Sequence, residues 1–113
     1  GESGQRAYDS LYTKLGPTIV KGYYDDGNKF YLEENYESAI TNFEKVVEID
    51  EGYNNGAAVF LLGDCYRLTG EKESALDCFT KVVENYPNSK WGRQAKTYIG
   101  VDDTELNAAE VGE

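Results

Sequence analysis

This 113-residue sequence predicts an all-α fold. The expected architecture is an α-α superhelix of antiparallel helical hairpins, with about two full repeats between flanking helices. Three observations carry it. First, Glu37-Ser38-Ala39-Ile40-Thr41-Asn42-Phe43-Glu44-Lys45-Val46-Val47-Glu48 aligns with Glu73-Ser74-Ala75-Leu76-Asp77-Cys78-Phe79-Thr80-Lys81-Val82-Val83-Glu84, eight of twelve positions being identical. The same shift of 36 carries Gly27 onto Gly63, Phe30 onto Tyr66 and Leu32 onto Leu68, so the repeating unit reaches upstream of the identical stretch. Second, apolar residues recur at helical spacing, Tyr23, Gly27 and Phe30 matching Val59, Gly63 and Tyr66. Third, only the turn-forming pairs Glu34-Asn35 and Gly70-Glu71 separate the helices of each unit, which leaves room for a hairpin and nothing else.

The elements follow in order. Ala7, Tyr8, Leu11, Tyr12 and Leu15 mark an amphipathic flanking helix over 5–15. Gly16-Pro17 then opens the first hairpin, 17–50, with Pro17 suited to a first helical turn. Its second helix carries Ala39, Phe43, Val46 and Val47 on one face, and the second hairpin, 56–86, repeats them as Ala75, Phe79, Val82 and Val83. Tyr86-Pro87-Asn88-Ser89 closes that hairpin and starts another helix near Lys90, over 90–100, as the first helix of a third unit or a cap. Residues 101–113 form an acidic tail that is expected to fray. Gly27 and Gly63 fall inside helices, where glycine costs about 1 kcal/mol against alanine. The expected return is close approach of the partner helix at Ala39 or Ala75. Because such units cannot bury their faces alone, the flanking helices are expected to cap the stack.

Composition excludes several functions. Eleven Lys and Arg stand against 21 Asp and Glu, and a net charge of -10 repels nucleic acid and anionic lipid. The acid is concentrated between Asp25 and Glu51 and after Asp102, whereas Tyr86 to Val101 carries Lys90, Arg93 and Lys96 without an acid. Histidine is absent, which removes the commonest general base and transition-metal ligand, and two cysteines alone cannot close a zinc site. Asp25-Asp26-Gly27-Asn28 lacks the alternating acids and distal glutamate of a calcium loop. No catalytic residue, metal or cofactor is expected. The longest apolar run, Ala57 to Gly63, falls far short of the roughly 20 residues that cross a bilayer, so this chain is not expected to insert directly. Gly1-Glu2-Ser3-Gly4 reads as a cleavage-junction remnant, which predicts a piece of a longer protein.

The second unit reads Val59-x2-Leu62-Gly63-x2-Tyr66, then Ala75-x3-Phe79, then Pro87, and it resembles the tetratricopeptide repeat. The first unit is a weaker copy, Tyr23-x2-Asp26-Gly27-x2-Phe30 and Ala39-x3-Phe43, with Glu51 at the proline position and Asp26 at a leucine position. Asp26 predicts a wet side on that first helix. The Tyr86-Pro87-Asn88-Ser89 junction, with Trp91, Ala95, Ile99 and Gly100 after it, is similar to bacterial cell-envelope members of the family, such as the Tol-Pal system coordinator and the outer-membrane assembly lipoprotein. The resemblance implies a protein-binding scaffold, and this narrower likeness an extracytoplasmic, envelope-associated setting.

In such a stack the first helix of each hairpin lines the concave face. At 100 degrees per residue, Tyr24, Asn28 and Tyr31 lie about a quarter-turn from the core stripe of the first unit, and Phe60, Asp64 and Arg67 hold the same places in the second. These six are the candidate groove for a partner peptide or helix, with rings supplying area and polar groups direction. A second reading stands beside it: the rings pack between first helices, and Arg67 pairs with Asp64. Two further alternatives are open. The chain is a self-association module, using Trp91 and Ile99 at one end and Tyr8, Leu11 and Tyr12 at the other, or it is an accessory domain of an enzyme or signalling protein whose chemistry lies elsewhere. Family members that hold a chaperone's terminal carboxylate need lysine, asparagine and arginine on successive first helices. Here Asn28 fits, while Tyr24, Val59, Gln94 and Tyr98 do not, which argues against that ligand. Cys65 and Cys78 are expected as reduced, partly buried thiols.

Overall fold

In the computed structural model, five helices follow one another: α1 (Glu2–Leu32), α2 (Tyr36–Ile49), α3 (Ala57–Leu68), α4 (Lys72–Asn85) and α5 (Lys90–Asp102), with a 3-10 turn at Tyr53–Gly56 before α3. The structure describes the backbone of residues 2–102 and the side chains of 17–99, so the tail beyond Asp102 lies outside it, as do the side chains of the 5–15 stripe. Each helix packs on the next in sequence, and α3 also touches α5. This is the pattern of stacked hairpins, in which every unit rests on its neighbours.

The core repeats with the sequence. Ala39, Phe43 and Val46 on α2 are buried, and so are Ala75, Phe79 and Val82 on α4. Between these two layers α3 is buried at every position from Ala57 to Cys65. A helix enclosed on all sides has to be apolar all round, which accounts for the run from Ala57 to Gly63. The single charged residue buried there is Asp64. Asp26, whose counterpart in the second unit is the buried Leu62, is exposed, the wet side expected of that first helix.

Two expectations are corrected. The flanking helix and the first helix of the first hairpin are one element, because α1 passes through Pro17 without a break. Proline holds φ near the helical value and removes only one N–H, and Pro17 is exposed, so water can serve the carbonyl left free. The partner helix does come close at both glycines, but the nearest side chains are Phe43 at Gly27 and Cys78 with Phe79 at Gly63, in place of the expected Ala39 and Ala75. A Cβ at Gly27 would stand 2.6 Å from the Phe43 ring, and one at Gly63 would meet Cβ of Cys78 at 2.8 Å and the Phe79 ring at 3.0 Å. Helical residues four apart share a face, and the ring one turn beyond each alanine is what reaches the opposite helix.

The hairpin turns are superimposable in conformation but not in residue. Glu34 and Gly70 hold positive φ of 63° and 88°, and Asn35 and Glu71 both sit at φ -92°, ψ 76° as the residues preceding α2 and α4. Asn35 accepts a hydrogen bond from the Ser38 N–H at 3.4 Å, whereas Glu71 makes no such cap. The links between units also differ. Before α3 the chain passes through Asn54, Asn55 and Gly56, all at positive φ, a region that asparagine and glycine enter most readily. Before α5 the shorter junction is capped by Ser89, whose hydroxyl donates to the Tyr86 carbonyl at 3.0 Å and accepts from the Gly92 N–H at 3.0 Å. Gly92 is required there, because a Cβ would fall on the Tyr86 carbonyl oxygen. The Tyr86 ring closes the joint by packing against Gly56 and Gly52.

Candidate partner-binding face

The six residues expected to line the concave face fall into two sets. Tyr24, Asn28 and Tyr31 on α1 are half-buried, and Arg67 on α3 keeps 40% of its side chain exposed. Phe60 and Asp64 are buried at 4% exposure each, which corrects their expected place on an open groove. The cause is α5. Its Trp91 and Tyr98 rings cover Phe60, with centroids 5.3 and 6.1 Å away, while Phe79 supports it from α4 at 5.5 Å. Of the three first helices, α1, α3 and α5, it is α5 that closes over this ring of α3, in the manner of the packing reading of the sequence.

A chain of polar contacts crosses those three helices. The Tyr31 hydroxyl donates to Asp64 Oδ2 at 2.5 Å, bridging α1 and α3. Arg67 donates from Nε to Asp64 Oδ1 at 2.9 Å and approaches the same oxygen with a terminal guanidinium nitrogen at 2.7 Å. Its guanidinium carbon then lies 4.6 Å from the centroid of Tyr98 on α5, over a ring that stacks on Phe79 at 4.9 Å. The buried carboxylate is thus satisfied from both sides, as a charge removed from water has to be. Burial, and then the bond to Asp64, push the Tyr31 hydroxyl far above the usual phenol range. For Arg67 burial works the other way, yet the bond and field of Asp64 outweigh it and raise its value.

Around this ladder the other aromatic residues are tied into the fold. Tyr24 packs edge-on to Phe43 at 6.0 Å and against Tyr53 at 5.0 Å, and its hydroxyl accepts from Asn54 at 3.4 Å. Asn28 bonds back to the Tyr24 carbonyl at 3.2 Å within its own helix. Tyr31 meets Tyr36 edge-on at 5.9 Å. On the hairpin side of α3, the Tyr66 hydroxyl donates to Glu44 on α2 at 2.6 Å, and burial with this bond raises its value too. Both cysteines are free and buried, and burial pushes the thiols up to about 12 for Cys65 and about 11 for Cys78, so neither is a ready thiolate.

Tyr98 is the ladder residue that the groove stripe did not include. It lies 34 positions after Asp64, a shorter step than the 36 that relates the first two units, and the junction into α5 is itself shorter than the one into α3. Reading the third unit at the shorter step would have placed Tyr98 beside Asp64. Among the described residues no group of three His, Cys, Asp or Glu side chains is placed to hold a metal, and no helix is long and apolar enough to cross a membrane.

Stacked hairpins whose first helices are joined by the Tyr31–Asp64 and Arg67–Tyr98 contacts define a helical-repeat scaffold. Residues 57–89 match the profile of the tetratricopeptide repeat, and residues 30–53 match a second profile of the same description. The two matches span just over half of the chain, which belongs to the tetratricopeptide-repeat family. Repeats of this family generally mediate protein–protein interactions and are typically non-catalytic. A comparison with curated proteins returns no match.

Proposed function

We propose that this chain binds a segment of a protein partner across the concave face of α1, α3 and α5, as a non-catalytic part of a larger assembly. The observation that carries the reading is Arg67, whose guanidinium is fixed by Asp64 and Tyr98 while 40% of the side chain stays open to solvent. A preorganised donor of this kind loses little freedom on binding. Tyr24, Asn28 and Tyr31 flank it as contact residues, and the buried Phe60 and Asp64 act beneath the surface by holding the others in place. The envelope setting is supported by the Tyr86-Pro87-Asn88-Ser89 junction alone.

Self-association is the second reading. It rests on α5, where Trp91 and Ile99 are only half-buried. A photo-crosslinking residue at position 28, on the concave side, and another at position 41, exposed on α2, separate the outcomes in the intact parent protein. Adducts to another protein from position 28 and none from 41 are expected. Adducts equal at both positions would overturn concave binding, and adducts to a second copy would replace it with self-association.

A further inference from the structure

Two exposed leucines stand at equivalent places, outside the polar ladder. Leu32 ends α1 at 79% exposure and Leu68 ends α3 at 42%. They are one repeat apart, and the contacts of their neighbours hold the two helix ends side by side: Tyr31 next to Leu32 bonds Asp64, which pairs with Arg67 next to Leu68. The turns beyond them and the first turns of α2 and α4 carry Glu33, Glu34, Glu37, Glu71 and Glu73, all exposed and none in an ion pair among the described residues. Lys72 is the one base interleaved with these acids, and the charge of the nearby Arg67 is committed to Asp64. One of the acids, Glu34, occupies a left-handed position where the second unit has glycine, a conformation that costs a side-chain-bearing residue stability.

We infer that this edge of the stack, where the hairpins turn, is a second docking surface, distinct from the concave face, for a basic amphipathic peptide segment. The leucines receive its apolar side chains and the glutamates its lysines or arginines. Charge complementarity selects the occupant. An anionic lipid surface or a nucleic acid meets five unpaired carboxylates here, whereas a basic segment is drawn in by them and held by apolar contact. Two isolated leucines on an acidic rim have the composition of a small apolar centre with a polar border, at the scale of a short peptide.

The test is a fluorescence-anisotropy titration with a short synthetic helix of leucine and lysine, in a segregated amphipathic order and in a scrambled order of the same composition. The segregated peptide is expected to bind more tightly than the scrambled one at physiological salt. Leu32→Ser with Leu68→Ser should weaken it by about tenfold or more, the loss expected for uncovering such side chains. Leu76→Ser, the same change at an exposed leucine on α4, should leave binding unaltered. Glu33→Gln with Glu34→Gln and Glu37→Gln should flatten the salt dependence. Circular dichroism of each variant should match the unaltered protein, since all these side chains are exposed. Equal binding of the two peptides, or an equal loss with Leu76→Ser, would overturn the inference by showing unspecific attraction to an acidic protein. Self-association abolished by the Leu32 and Leu68 changes would overturn it in favour of a second copy.

Discussion

The two hairpins share a sequence pattern but not a burial environment. Phe43 and Phe79 are equivalent and both fully enclosed, yet among the described residues Phe43 has one aromatic partner, Tyr24 at 6.0 Å, while Phe79 touches Phe60 and Tyr98. Asn28 and Asp64 are equivalent as well. The first bonds within its own helix, and the second is a buried junction between helices. Among the described residues the first hairpin has a neighbour only on the α3 side, whereas the second is enclosed between α2 and α5. In a stacked array the energy of a position therefore depends on how many neighbours its unit has, not on the unit's own sequence alone.

The largest test of that contrast is in the core. Phe79→Ala and Phe43→Ala should each cost about 3–5 kcal/mol, with Phe79 at the upper end because its ring loses partners on two helices. Urea unfolding of both variants measures the order, and equal losses would break the comparison. Next come the equivalent polar sites. Asp64→Ala leaves the Tyr31 hydroxyl and Arg67 without their acceptor and should cost about 1–3 kcal/mol, less than a wholly buried pair because Arg67 stays partly in water. Asn28→Ala should fall within about 0.5 kcal/mol of neutral, as it loses only a bond inside α1 and gains helix propensity. A large loss at Asn28 would show that the first unit's face is more tightly coupled than its contacts imply. The smallest effect is expected at the turns, where Glu34→Gly should stabilise by about 1 kcal/mol by relieving a left-handed glutamate. Gly70→Ala should destabilise by a similar amount, and thermal unfolding of the two variants tests the sign.

Much of this was legible in the residues. The 36-residue shift located α2, α3 and α4, and helical spacing named their buried faces, because a hairpin's inner stripe has to be apolar whatever it packs on. Pairing of Arg67 with Asp64 was one of two readings left open, since three residues along a helix is contact distance in any fold. The unbroken helix through Pro17 was not legible, because proline is compatible both with a helix start and with a helix that gives up one hydrogen bond. Nor was the burial of Phe60, which depends on rings supplied by α5 across a junction of different length.

What the sequence determined by itself was periodic: an all-α chain, hairpins of about this length, the enclosed faces of α2 and α4, and an acidic chain whose stretch from Tyr86 to Val101 carries bases and no acid. Those properties follow from the spacing of side chains along one helix, and spacing is written directly in the order of residues. The tertiary structure alone decided that Tyr31, Asp64, Arg67 and Tyr98 form one ladder, that Phe60 lies beneath the face it was expected to line, and that Leu32 and Leu68 are left exposed at one edge. Each of these depends on the offset between neighbouring helices, which is set by the length and left-handed geometry of the links between units and so is a property of the stack.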